Sequence, residues 1–528
     1  MNKEKIAVIQ IARMGDLLQS LPLLNALHKN FHISVFIDKN LVELANLFQS
    51  VDEIIPIDIQ SLAEISTSNE ISLLEKYEIL KKYVQSFSSM NFSKVINLNY
   101  SSLSCLIADA ISTQKKLGFY YQNDRRTIYG TPWMDYLLTS TSTRRFNRIN
   151  LSDIFLYSAG SIISSEMPSR YFFNNAKEKK AQRKNDETTI SIQTATGHRK
   201  RFWPDNYFSA LCRMLLNDKK VKIYLTGTAK ERERAEKIKQ SAAENERIVN
   251  IAGKTTVKEL SEILSQSDLV ITCDTGTMHL AASLDTTVLA LFFGPAFCFE
   301  TGPFTKDNYI IQSFKKCAPC MESIECINRE CLNSVSPELV YKTSLSILSN
   351  NESILQETTI PNDITIYKTE EDSFGITCEP LFGNVHNYEN KLTDELRLTW
   401  FYIMNNIDSK NPFLDKISKI NFIFSDNSYN KGITDLYYLV KIRKKLLLSL
   451  PHQWKSHFEI DNIDERINSL KNIHPLAHII RFFFRNIERH KFSDAYSDAI
   501  FFHNNFSNAL YKLTINCQIQ VEENYGFI

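Results

Sequence analysis

The feature that most constrains the fold is the stretch from Asp268 to Pro295, DLVITCDTGTMHLAASLDTTVLALFFGP. Its first seven residues are a largely apolar run ending in Asp274, the pattern of a strand buried in a parallel sheet. Thr275, Gly276 and Thr277 then lead into a short helix carrying Met278, His279, Leu280, Ala281 and Ala282. Thr287 to Phe293 follows as a second apolar strand, which Gly294-Pro295 stops. A strand that runs straight into a helix and back into a strand commits the surrounding chain to layered α/β architecture. At the junction, unpaired backbone N–H groups, the positive end of a helix dipole and two hydroxyls come together, which suits a phosphate; Gly276 lets the backbone approach it closely. Many helix N-termini in α/β proteins bind nothing, so the junction alone leaves both readings open.

The same alternation fills most of the chain. Lys5 to Ile11 reads as a strand, Ala12 to Gly15 as a turn, and Asp16 to Lys29 as a helix with Leu17, Leu18, Leu21, Leu24 and Leu27 on one face. Strands then alternate with helices as far as Ile111, the spacing of a parallel, doubly wound sheet, whereas Lys115 to Thr143 reads as irregular and basic. The charged segment Asn174 to Thr188 has the character of a linker. After it the pattern restarts: strands over 189–193, 222–226 and 247–252 separated by helices, then the opening stretch, then a last helix over 336–348. With 528 residues, enough for roughly three domains, this gives a Rossmann-like domain over 1–175, a second over 188–349 and a further domain over 350–528. In that last domain Asp363 to Gly383 reads as a pair of strands and 391–516 as mostly helical. Two doubly wound sheets in tandem leave a cleft between their ligand-binding edges, where small-molecule sites form preferentially.

Lys and Arg total 61 against 60 Asp and Glu, so overall charge argues for neither nucleic acid nor a membrane face. Locally, Ser101 to Lys220 holds 19 basic against 10 acidic residues, including Arg125, Arg126, Arg144, Arg145, Arg148, Lys200 and Arg201. That excess is either a solvated surface or a cleft for an anion. The N-terminal apolar run is too short for a signal peptide, and no segment reaches the ~18–20 apolar residues of a membrane helix. The chain is therefore expected in the cytoplasm, with its ten cysteines as thiols or metal ligands. Four of them, Cys317, Cys320, Cys326 and Cys331, stand in the spacing C-x2-C-x5-C-x4-C. Four thiolates make a closed tetrahedral site for structural zinc or iron, with no open position for catalysis; the alternative is incidental or redox-active thiols. Asp16, at the carboxyl end of a strand, is a helix residue favoured by the dipole or a general base beside a substrate. His279 is a ligand to something or a satisfied helix histidine.

The segments IAVIQIARMGDLLQSLPLLNAL near the start, RFWPDNYFSAL at 201–211, TGTAKERERAEKI at 226–238, AGKTTVKELSEILSQSDLVITCDTGTMHLAASL at 252–284 and the FFGP that follows resemble the family 9 glycosyltransferases, the bacterial heptosyltransferases. The resemblance covers about residues 1–348. It implies a GT-B fold, with the acceptor held mainly by the first domain and an ADP-sugar by the second, and inverting transfer without a catalytic metal or other cofactor. Asp16 matches the family's catalytic aspartate. Asp274, Thr275, Gly276, Thr277 and His279 match its DTG-x2-H motif and would bind the donor. Arg201 stands where the family usually has a lysine, with Lys200 adjacent, and Glu231 aligns with a ribose ligand. Arg13, Arg125 and Arg126 are the candidates for an anionic acceptor.

The implied acceptor is a lipopolysaccharide-core or other surface glycan, reached through peripheral contact with the inner membrane. The alternatives are a protein acceptor, such as an autotransporter or flagellin, and a scaffold that binds a nucleotide sugar without turnover. In a heptosyltransferase group that modifies autotransporters a cysteine cluster holds structural iron, so the resemblance admits iron here and spacing admits zinc. The helical extension, about 180 residues beyond the usual family length, is a candidate for acceptor binding or homo-oligomer formation.

Overall fold

The structure, a computed structural model, describes residues 3–121, 128–142, 144–160, 168–172, 187–197, 201–242, 245–315, 317–320, 326, 328–383, 397 and 400–401. Arg125, Arg126, Lys200, most of the charged linker and the helices expected beyond residue 401 lie outside them. The chain divides into two compact units, one spanning Met1–Lys116, Ile149–Leu156 and Met167–Asn387, the other Leu117–Arg148, Tyr157–Glu166 and Tyr388–Ile528.

Both expected sheets belong to the first unit. In its first half, β1 (Glu4–Ile9), β2 (Phe31–Asp38), β3 (Glu53–Ile57) and β4 (Asn91–Asn97) are parallel in the order β3-β2-β1-β4. Ile6, Ala7, Val8 and Ile9 are fully buried, as a strand covered on both faces requires. The helix expected over 16–29 is two, Met14–Gln19 and Leu21–His28, broken at Ser20 where Pro22 starts the second. A helix at Ile59–Thr67, capped by the Asp58 side chain, precedes a longer one at Leu73–Gln85, whose Ser72 and Glu75 form a capping box.

In the second half, β7 (Thr188–Gln193), β8 (Val221–Thr226), β9 (Ile248–Asn250), β10 (Leu269–Cys273), β11 (Val288–Phe292) and β12 (Tyr309–Ser313) are parallel. The sheet order is β14-β13-β12-β11-β10-β7-β8-β9. Every residue of β10 and β11 is buried. Chain order reverses between β7 and β10, which makes their carboxyl ends the switch point where open α/β sheets bind ligands. The strand pair expected at 363–383 forms as β13 (Ile364–Asp372) and β14 (Gly375–Gly383) and joins this sheet antiparallel to β12.

That added hairpin is latched from within. Arg170, 2% exposed, donates to the Asp153 carboxylate, to Ser152 Oγ at 3.1 Å and to Glu371 Oε1 at 2.6 Å. Asp153 also accepts the Ile376 N–H at 3.0 Å. Burial alone favours loss of the guanidinium charge, and the Asp153 and Glu371 carboxylates outweigh it. Gly375 has φ +136, and a Cβ there would run into the Asp153 carboxylate.

The second unit corrects the expectation of an irregular segment over 115–143. The end of β5 (Ser112–Tyr121) pairs antiparallel with β6 (Ile128–Gly130), and Pro132–Ser142 is a helix. Trp133 and Tyr136 on that helix pack with Tyr157, Trp400 and Phe401. The basic excess is not one solvated face: Arg148 is 5% exposed and donates to the Arg145 and Asn147 carbonyls. No described helix is long and apolar enough to cross a membrane.

Candidate active site

Two strand-to-helix junctions within the first unit meet. After β1 the chain turns through Gln10–Arg13 into the helix Met14–Gln19. Asn99 fixes that turn by accepting the Ile11 N–H at 2.7 Å and donating to the Gln10 side chain. Asp16 lies in the first helical turn, and its Oδ2 accepts the Arg13 N–H at 3.2 Å. Burial is the main influence on its carboxyl and raises its pKa above the ordinary aspartate range; the bond from Arg13 opposes this only in part. The Arg13 residue itself is exposed.

After β10 the chain enters the helix Gly276–Ser283, with Thr275 extended before it at φ −149. Met278 N–H is already taken by the Thr275 carbonyl at 3.1 Å, which leaves the Gly276 and Thr277 N–H groups as donors at the helix mouth. The hydroxyls turn inward: Thr275 Oγ1 is 3.0 Å from Thr272 Oγ1, and Thr277 Oγ1 donates to Gln193 Oε1 at 3.1 Å. An anion here would therefore meet backbone N–H groups first. Asp274 receives Arg201 Nη1 at 2.8 Å, so the guanidinium offsets a carboxylate beside the mouth.

His279 lies inside the helix, 3% exposed and stacked on Phe304. Burial lowers its pKa to about 3, so the ring is neutral at any physiological pH, and its Nδ1 has no hydrogen-bond partner. A buried, unpartnered ring nitrogen carries a desolvation cost that a ligand could relieve. Thr194 Oγ1, at the end of β7, is likewise buried without a partner.

The two junctions touch. A Cβ on Gly15 would lie 3.1 Å from His279 Cδ2, and one on Gly276 would lie 3.0 Å from Met14 Cγ and Sδ. Asp16, Asp274, Thr275, Gly276, Thr277, His279 and Arg201 thus occupy one region. Glu231 is set apart by its local role: its Oε2 accepts the Thr228 N–H at 2.7 Å and caps its own turn. Gln193, absent from the sequence reading, stands between Thr277 and Glu231; the only signal for it was a polar residue ending an apolar strand.

Of the four clustered cysteines, Cys317 and Cys326 are exposed, Cys320 is half-buried and Cys331 is buried. Burial, opposed by a hydrogen bond with the Gly294 backbone, pushes the Cys331 thiol up to about 11. Among the described residues, no three His, Cys, Asp or Glu side chains are drawn together as a metal site; residues 321–325 and 327 of this loop lie outside them.

Comparison with known proteins places these features. The model of glycosyltransferase family 9 (heptosyltransferase) matches residues 80–330. Lipooligosaccharide heptosyltransferase 2 of Campylobacter jejuni is 30% identical over 28% of this chain and 47% of its own length. The chain therefore spans about half of that relative. Lipopolysaccharide heptosyltransferase 1 of Campylobacter coli is 21% identical over 59% of this chain and 90% of its own. The crystal structure of the family 9 glycosyltransferase from Veillonella parvula aligns with a TM-score of 0.52 and 19% identity, covering 66% of this chain and 98% of that one. That likeness concerns the fold, and it agrees with the two Rossmann-like sheets of the GT-B class. In its ordered motifs, its sheets and these matches, the chain is similar to the family 9 glycosyltransferases, whose model covers just under half of it.

Proposed function

We propose that this protein transfers a heptose from ADP-heptose to a hydroxyl of a lipooligosaccharide or lipopolysaccharide core, or of a related surface glycan, with inversion. The observation that carries this reading is the approach of Gly15, next to Asp16, to His279 on the helix that follows β10. It brings a carboxylate and an anion-accepting helix start into one region, as sugar transfer requires. The Asp16 carboxylate takes the proton of the acceptor hydroxyl as that oxygen bonds to the anomeric carbon. The bond from that carbon to the diphosphate breaks on the opposite face, and ADP leaves with the electron pair. The Gly276 and Thr277 N–H groups, aided by Arg201, stabilise the charge on the leaving oxygen. Neutral His279 offers a hydrogen bond without adding charge.

The test is ADP release from ADP-heptose in the presence of core acceptor, followed by mass spectrometry of the product. Heptose on glycolipid supports the proposal; heptose on peptide moves the acceptor to the protein class; donor binding without transfer to any acceptor identifies a scaffold. The four cysteines are proposed as a structural iron or zinc site, supported by their spacing. Metal analysis of purified protein should find about one ion per chain, and none would remove that assignment.

A further inference from the structure

From the hydrogen bonds at the end of β7, we infer that Gln193 is the positioning residue that sets the distance between the two ends of the donor site. This rests on the donor reading above. Gln193 is 6% exposed and ends the strand at the switch point, between the loop after β8 and the helix after β10. Its Oε1 accepts Thr226 Oγ1 at 2.8 Å and Thr277 Oγ1 at 3.1 Å. Its Nε2 donates to the Ala195 carbonyl at 3.2 Å and reaches Glu231 Oε2 at 3.5 Å. A carboxamide has two lone pairs and two N–H bonds, and here all four are directed. The orientation is forced, because a carbonyl and a carboxylate can only accept, so nitrogen faces them and oxygen faces the hydroxyls.

One side chain therefore ties the helix start, where a diphosphate would sit, to the turn bearing Glu231, where the ribose would sit. It also consumes the only hydroxyl proton of Thr277, so that residue serves an anion through its backbone. Gln193 touches neither reacting atom; it holds the groups that do. Binding energy from ADP depends on the span between these groups, and a span that is wrong by about 1 Å lowers affinity and rate together.

The experiment measures ADP binding by calorimetry, from pH 5 to 8, for the wild type and Gln193→Glu. At pH 8 the new carboxylate lacks the N–H bonds and faces Glu231 and the bound diphosphate, so affinity should drop at least tenfold. As pH falls the carboxyl takes a proton, regains a donor and regains affinity. The ratio of variant to wild type at each pH cancels the titration of ADP itself. Thr277→Val cuts the same contact from the other side, and its loss should not add to that of Gln193→Ala. A ratio near one at pH 8, or a loss that is independent of pH and tracks the melting temperature, overturns the inference. Wild-type protein that fails to bind ADP brings down the donor reading itself, and this inference with it.

Discussion

The turn into the Met14 helix and the turn into the Gly276 helix use one device, an apolar parallel strand running into a helix, for opposite ends. The first ends in six helical residues with a carboxylate in its opening turn; the second ends in eight with a histidine there, and seven of the eight are buried. Burial drives both ionisable groups toward neutrality, raising the pKa of Asp16 and lowering that of His279. On the acid side this makes a better proton acceptor once ionised, and on the histidine side a fixed neutral ring. The same strand-to-helix arrangement thus carries a carboxylate in one half and a neutral ring behind open N–H groups in the other.

The comparison breaks most sharply at Asp16. Asp16→Asn should reduce transfer by about 10²–10⁴-fold while ADP affinity stays within about twofold, as measured by ADP release and calorimetry. In the wild type, the acid limb of kcat/KM should lie above the ordinary aspartate range, because the carboxylate is the active form and its pKa is raised. Next comes the contact between the junctions. Gly15→Ala places a methyl against the buried His279 ring and should cost about 1–3 kcal/mol in stability or donor affinity. His279 sharpens the contrast further. Its folded pKa, about 3, lies below the ordinary 6.5, so the folded state binds fewer protons between those values. Stability is complete above pH 6.5 and falls on acidification, by up to about 1.4 kcal/mol per pH unit, and His279→Gln should flatten that slope in urea melts. The smallest effect belongs to Gly276→Ala: its methyl meets Met14 Cγ and Sδ at 3.0 Å and Cβ at 3.2 Å, a contact that rotation of the thioether relieves in part, so melting should show a loss of about 1 kcal/mol.

Much of this was legible in the sequence because local patterns carry it. The runs IAVI and LVITC could only be buried strands, and the glycines and aspartates after them could only be turns into helices. The segment over 115–143 reads as irregular because its strand, QKKLGFYY, passes from exposed and half-buried lysines to a more buried aromatic end and shows neither period cleanly. The helix Ile59–Thr67 shows little period because Leu62 is its one buried residue, with Ile59 packed only partly against the core. Pairing of β13 with β12 joins residues more than fifty positions apart, which no local pattern encodes. Within the candidate site, the motif residues could be named from the sequence and Gln193 could not, because its contacts to Thr226, Glu231 and Thr277 exist only after folding.

The Arg170 latch bears on how the protein can be shortened. Family resemblance ends near residue 348, which makes that point look like a natural place to stop. A polypeptide ended there would lose Glu371 and the Ile376 amide, strip β12 of its antiparallel neighbour and strand a deeply enclosed guanidinium with one carboxylate. Any fragment meant to keep the second sheet intact should run through Gly383, so part of what looks like an appendage belongs to that sheet's indivisible body.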